Sequence, residues 1–180
     1  AIYDYVWTDP EGNELIGSQI TITTGGIYSV TATITTGSGC QRTREIRVDE
    51  SIIATFTEAD ITIVDDSDNN SITIDPTNLG IGDYEYALED ENGQIFRDYQ
   101  DDPMFNNIPG GFYTVLVRDK NGCGEVSVDV SVVEFPKFFT PNNDGINDTW
   151  AIKGANSTFF PNSEINIFNR FGKVVAQIAI

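Results

Sequence analysis

An apolar–polar alternation of period two runs through most of this chain and limits its fold more than any other feature. Ile20-Thr-Ile-Thr, Tyr28-Ser-Val-Thr-Ala-Thr-Ile-Thr, Ile72-Thr-Ile and Val126-Ser-Val-Asp-Val-Ser-Val each place apolar side chains on one face of an extended backbone. No segment combines helical 3.6-residue spacing with helix caps. Turn signals (Glu11-Gly-Asn, Asp68-Asn-Asn, Glu91-Asn-Gly, Lys120-Asn-Gly) recur at short intervals. Strands that are apolar on one face must pair and then cover that face with a second sheet. The expected class is all-β, built of sandwich domains.

An internal repeat divides the chain. Tyr5-Val-Trp-Thr-Asp-Pro-Glu-Gly-Asn aligns with Tyr86-Ala-Leu-Glu-Asp-Glu-Asn-Gly-Gln, and Gly25-Gly-Ile-Tyr28-Ser-Val30 aligns with Gly110-Gly-Phe-Tyr113-Thr-Val115. Cys40 aligns with Cys123. The offset of about 83 residues is the length of one small sandwich. In the Gly-Gly-aromatic-Tyr element, glycines form a tight turn, and Tyr and Val then point inward on alternate positions of the next strand. The expected boundaries are residues 1–50 for the C-terminal part of one repeat, 51–134 for a complete repeat, and 135–180 for something different. The pattern of residues 1–134 resembles the immunoglobulin-like and PKD-like repeats of bacterial surface proteins, which implies tandem Ig-like β-sandwiches. Ala1–Trp7 reads as a strand already under way, so the sequence is expected to be an internal stretch of a longer chain.

Charge removes several functions. The formal net charge of −18 would repel nucleic acid and anionic lipid, so neither is an expected partner. The acid is concentrated: residues 51–134 carry 18 acids and 3 bases, whereas residues 135–180 carry 3 and 4. No apolar run approaches the ~20 residues of a membrane helix, so no membrane insertion is expected. The chain has no histidine, which removes Ser-His-Asp and Cys-His nucleophilic sites and His-ligated zinc. Two cysteines are too few for a disulfide scaffold or a four-thiolate metal site, and Cys123 is expected to be a buried thiol.

Two carboxylate clusters, Asp65-Asp-Ser-Asp-Asn-Asn70 and Asp98-Tyr-Gln-Asp-Asp102, have the oxygen content that calcium requires, but they also read as solvated acidic loops. A third oxygen-rich loop, Thr140-Pro-Asn-Asn-Asp-Gly145, fails the EF-hand spacing. With Gly145 at loop position six, positions one and twelve would be Thr140 and Ala151. A looser calcium site of Asn142, Asp144 and Asp148 competes there with a simpler role, hydrogen-bonding of the turn's own backbone. None of the acids is flanked by groups that would raise one pKa selectively, so no glycosidase pair and no enzyme activity is expected. Trp7 and Trp150 both fall in strand patterns and are expected to face cores, which leaves no aromatic platform for sugar stacking.

The segment Phe135-Pro-Lys-Phe-Phe-Thr-Pro-Asn-Asn-Asp-Gly-Ile-Asn-Asp-Thr-Trp150 breaks the alternation. Its prolines fix φ and remove backbone donors, and its Asn/Asp/Gly run supplies residues that tolerate φ > 0. Together with Ile165-Asn-Ile-Phe168-Asn-Arg170-Phe-Gly172-Lys173-Val-Val, it closely resembles the gliding-motility-associated C-terminal domain, the type B sorting domain of the type IX secretion system of Bacteroidota. The residues that carry the resemblance are Phe139, Pro141, Asn142, Asp144, Gly145, Asn147, Asp148, Trp150, Phe168, Arg170 and Gly172. Asn143 departs from the family's usual glycine, and Asn is the best replacement at a φ > 0 position. The resemblance implies that residues 135–180 are the N-terminal part of a β-sandwich sorting domain, with further strands lying past Ile180 or supplied by a partner protein. It further implies the C-terminal part of a large secreted, cell-surface protein of gliding-adhesin type. The repeats would form its stalk, and the type IX translocon with its outer-membrane partner proteins would read the sorting domain. The tail of an exported hydrolase, or a calcium- or carbohydrate-binding module, are the alternatives.

Overall fold

A computed structural model describes residues 2–37 and 39–180. It is almost entirely antiparallel β, as the alternation requires, and divides into two compact units, Ala1–Ser51 and Ile52–Ile180.

The first unit is one four-stranded sheet. Strands β1 (Tyr3–Thr8), β2 (Glu14–Ile16), β3 (Gly26–Ile34) and β4 (Gln41–Val48) lie in the order β2-β1-β3-β4. Ile20–Thr23 alternates like a strand yet forms none, because alternation produces a ladder only where a neighbouring strand offers its edge.

In the second unit, residues 52–134 form a sandwich. Strands β5 (Ile61–Val64), β6 (Ser71–Ile74) and β9 (Met104–Asn106) make a three-stranded sheet in the order β5-β6-β9. Strands β7 (Tyr84–Asp90), β8 (Ile95–Gln100), β10 (Gly111–Asp119) and β11 (Glu125–Val132) make a four-stranded sheet in the order β11-β10-β7-β8. The inward residues of both sheets meet in one core, with Ile72, Ile74 and Phe105 from one side and Tyr86, Leu88, Val115, Val117 and Val130 from the other. Burial of each such side chain contributes roughly 1.5–3 kcal/mol, so this repeat carries most of the unit's stability.

The repeat seen in the sequence is matched in hydrogen bonds. The Tyr28 hydroxyl donates to the Thr24 carbonyl at 3.0 Å, and that of Tyr113 to the Pro109 carbonyl at 2.9 Å. The Gly25 N–H donates to Glu50 at 2.6 Å, and the Gly110 N–H to Glu134 at 2.7 Å. Each tyrosine thus ties the start of its strand to the preceding corner, the tyrosine-corner device of immunoglobulin-like sandwiches. The two last strands of the chain, β12 (Glu164–Phe168) and β13 (Val174–Ala179), form a separate two-stranded hairpin.

Candidate functional site

The loop 138–150 is shaped by its own acids. Asp148 accepts hydrogen bonds from the N–H groups of Asn143 (2.5 Å) and Gly145 (2.7 Å). Asp144 accepts from the Ile146 N–H and from the Asn142 side-chain amide, each at 2.8 Å. Thr140 N–H closes the loop onto the Asn147 carbonyl at 2.7 Å. Three residues take positive φ, namely Asn143 (+64°), Gly145 (+84°) and Asn147 (+54°), and these are the residue types that tolerate it. Hydrogen bonds from the loop, led by those of Gly145 and Ile146, hold Asp148 and Asp144 below the usual carboxylate range.

This geometry decides how the loop treats a cation. All four carboxylate oxygens of Asp144 and Asp148 face N–H donors, and the Asn142 amide oxygen accepts from the Asp144 N–H at 3.3 Å. Calcium takes six to eight oxygens, and a loop interior lined with N–H groups does not fit it. No group of three or more His, Cys, Asp or Glu side chains suited to a metal ion occurs among the described residues.

The acidic loop 65–70 is exposed from Asp65 to Asn69, as a solvated acidic loop would be, and it also bonds a distant segment. Asp66 N–H donates to the Val133 carbonyl at 2.9 Å, and Asp65 accepts from the Val133 N–H at 3.2 Å. Asp66 also accepts from the Phe135 N–H at 3.4 Å, and Asp68 pairs with Lys137 at 2.8 Å. Alternate residues 133, 135 and 137 are therefore gripped along an extended segment. The charged hydrogen bond from Lys137 holds Asp68 below its ordinary range. Asn70, buried beneath this loop, fixes it by accepting from the Ser67 N–H at 2.9 Å.

A second hold lies one residue away. Glu134 and Lys153 form an antiparallel bridge with N–H···O distances of 3.2 and 3.1 Å, and their side chains pair at 3.0 Å. The other carboxylate oxygen of Glu134 takes the Gly110 N–H at the tyrosine corner. That bond first, and Lys153 second, lower the pKa of Glu134. Beyond Lys153, the Ser131 hydroxyl donates to the Gly154 carbonyl, and Phe159 stacks on Phe112 at 5.5 Å between ring centres. Residues 133–137, 153–154 and 159 are in this way held against the sandwich, whereas most of loop 138–151 is exposed; an open cleft of about 820 Å³ lies beside them, lined by Asp66, Pro109, Glu134, Lys137 and Asn147 among others.

The remaining sequence-marked residues fall in two places. Phe139, Pro141, Asn142, Asp144, Gly145, Asn147, Asp148 and Trp150 belong to the loop, whereas Phe168 ends β12 and Arg170 and Gly172 lie in its turn. Arg170 stacks over Phe171 at 4.6 Å, and Gly172 takes φ +76°. Trp150 does not face a core: it lies in no strand, is 38% exposed, and donates its ring N–H to the Pro136 carbonyl at 2.9 Å. The residues around Trp150 pair with no strand, so they form no ladder. Cys123 is exposed rather than buried, because it sits in the β10–β11 turn, where its N–H donates to buried Asp119. In the second acidic cluster, Asp101 pairs with Lys120 at 2.5 Å and Asp102 accepts from the Met104 N–H at 3.0 Å.

Sequence reasoning did not find the grip of Asp65, Asp66 and Asp68 on residues 133–137, nor the seat of Gly154. Both join positions far apart in the chain. One signal was present: Lys137 as a base just after an acidic repeat.

No helix is long and apolar enough to cross a membrane among the described residues. No curated protein matches the chain. Residues 133–179 match the family model of the CHU_C type IX secretion signal domain, a match consistent with the type B sorting domain that the two sequence blocks resemble.

Proposed function

We propose that this chain is the C-terminal part of a large surface protein of gliding-adhesin type from a member of the Bacteroidota. Its Ig-like repeats, residues 1–50 and 51–134, serve as stalk, and residues 135–180 begin the sorting domain. The stalk performs no chemistry, and the type IX translocon with its outer-membrane partner proteins reads the sorting domain. The match of residues 133–179 to the secretion signal family supports export. The observation that carries the arrangement is the double hold on residues 133–137 and 153–154. It fixes the signal's first segment against the preceding repeat instead of leaving it on a slack linker.

The loop 138–150 is the part of this signal whose shape depends on particular side chains. Asp144→Ala combined with Asp148→Ala, introduced into the protein in its own host, should lower the amount reaching the cell surface, measured by protease accessibility on intact cells. Undiminished surface display of a stably produced double variant would show that the loop plays no part in sorting.

A further inference from the structure

The loop that follows the sandwich is tied across its base by nested bonds. Outermost is the antiparallel bridge of Glu134 and Lys153. Inside it, the Trp150 ring N–H donates to the Pro136 carbonyl at 2.9 Å, and inside that the Thr140 N–H donates to the Asn147 carbonyl at 2.7 Å. Each tie shortens the stretch that the next one has to close. The turns of Asp144 and Asp148 form the tip.

These ties do not explain their own persistence. Residues 138–147 are exposed, so their hydrogen bonds compete with water and each contributes only a small net stabilisation. Parting at 134 and 153 returns residues 135–152 to open-chain freedom, a gain that two main-chain bonds do not outweigh.

What holds the base lies outside the loop. On its incoming side, Asp65, Asp66 and Asp68 of the β5–β6 turn bond Val133, Phe135 and Lys137, and the Gly110 N–H bonds the Glu134 carboxylate. On its outgoing side, the Ser131 hydroxyl donates to the Gly154 carbonyl, and Gly154 lies so close to the Val132 carbonyl that a Cβ there would be 2.1 Å from its oxygen. Phe159 stacks on Phe112, and with Phe160 it lines a cleft of about 300 Å³ beside Ile61, Ile63 and Val130. A short turn sets this pair of rings: the Asn156 side-chain oxygen accepts from the Thr158 and Phe159 N–H groups at 2.9 and 3.1 Å.

Each side of the base is gripped by both sheets. Asp65, Asp66 and Asp68, with Ile61 and Ile63, belong to the three-stranded sheet and its turn. Gly110, Phe112, Val130, Ser131 and Val132 belong to the four-stranded sheet and the corner that enters it. The two sets are neighbours only while the sheets are packed on their common core of Ile72, Leu88 and Val115.

We propose that the folded sandwich of residues 52–134 is the latch of loop 138–150: the loop takes its closed form only on a chain whose sandwich has folded. On the export reading given above, on which this consequence rests, the machinery that reads the loop meets it closed only after the preceding repeat has folded. The signal then reports on the state of the repeat. The latch itself is a property of the fold and holds whether or not the loop directs export.

The test is urea unfolding of the 180-residue chain, followed residue by residue by NMR. The Trp150 ring N–H and the Gly145 amide report the loop, and the Leu88 and Val115 amides report the sandwich. All four should leave their folded positions at one midpoint. Leu88→Ala, a change in the core, should lower the loop and sandwich midpoints together by about 1–3 M urea. Lys153→Pro removes the N–H that donates to the Glu134 carbonyl, and the loop should then open at lower urea than the sandwich. Lys153→Ala loses only the side-chain pair with Glu134 and should keep the midpoints together. Loop signals that persist after Leu88 and Val115 have unfolded overturn the proposal, as does a loop that opens well below the sandwich in the unmodified chain. A Leu88→Ala shift confined to the sandwich, or coincident midpoints in Lys153→Pro, would overturn it equally. Surface display of the Asp144 and Asp148 double variant decides the export reading and these midpoints decide the latch, so either can fail without the other.

Discussion

Gly154→Ala tests how the segment after residue 134 is seated on the sandwich of residues 52–134. Gly154 is buried with φ +67°, and a Cβ built there would lie 2.1 Å from the Val132 carbonyl oxygen and 3.0 Å from that of Gly111. The left-handed conformation alone costs a non-glycine residue roughly 1–2 kcal/mol. Relieving the contact requires backbone to move by more than an ångström, an overpacking cost of about 1–3 kcal/mol. Gly93 separates the two effects: its φ is +71°, yet nothing lies within 4 Å of its Cβ position. Gly93→Ala should therefore cost only the conformational part. The assay is native-state amide exchange, read at Lys153 N–H and Glu134 N–H for Gly154→Ala and at Asp90 N–H for Gly93→Ala. The Gly154→Ala bridge amides should open about five- to hundredfold more than Asp90 N–H does in Gly93→Ala, since each 1.4 kcal/mol is about tenfold. The core amides of β7 and β10 should be little changed. Equal losses in the two variants would refute the seat, showing that the Val132 carbonyl yields freely.

Three further outcomes follow from the geometry. The Asp144 and Asp148 pKa values lie below 3.8 in the folded loop, so their contribution is fully present above 3.8 and is lost as pH falls through the lower folded values. The Asn143 and Gly145 amide NMR shifts should accordingly hold steady from neutral pH down to that region and change only beneath it; a transition well above 3.8 would contradict the bonding described. Tyr113→Phe removes the hydroxyl donor to the Pro109 carbonyl and should cost about 0.5–1.5 kcal/mol in denaturant unfolding. A neutral result would mean that the corner is held by packing alone. Leu88→Ala, in the repeat's core, should cost about 2–5 kcal/mol, and Ile167→Ala, at a position 40% exposed, much less.

Much of this protein can be read residue by residue. Alternation in β3, β10 and β11 specifies strands because side chains on a pleated backbone point to opposite faces, so a buried face must appear at every second position. The Gly-Gly-aromatic-Tyr element identifies the repeat, and the Asn/Asp/Gly run marks a loop that only such residues tolerate. Asp144 and Asp148 can be read as acceptors for their own turn, since the groups involved lie within a few residues of each other. The place of Trp150 is not legible locally, because the partner of its ring N–H, Pro136, lies fourteen residues back. Ile20–Thr23 shows the same limit, for alternation describes a strand's faces but supplies no neighbour.

The sequence by itself determined the local chemistry: which stretches extend, which turn, and which glycines and asparagines accept positive φ. Those properties depend on sterics and hydrogen bonds spanning only a few residues. Only the tertiary structure decided what the acidic loop at 65–68 does. An aspartate in water and an aspartate gripping backbone about 68 residues away are the same letter, and Val133, Phe135 and Lys137 become its partners only once the sandwich brings them there. It likewise decided which strands lie beside one another, as in the order β11-β10-β7-β8. Strand neighbours are set by the path of the whole chain, and no local pattern encodes them.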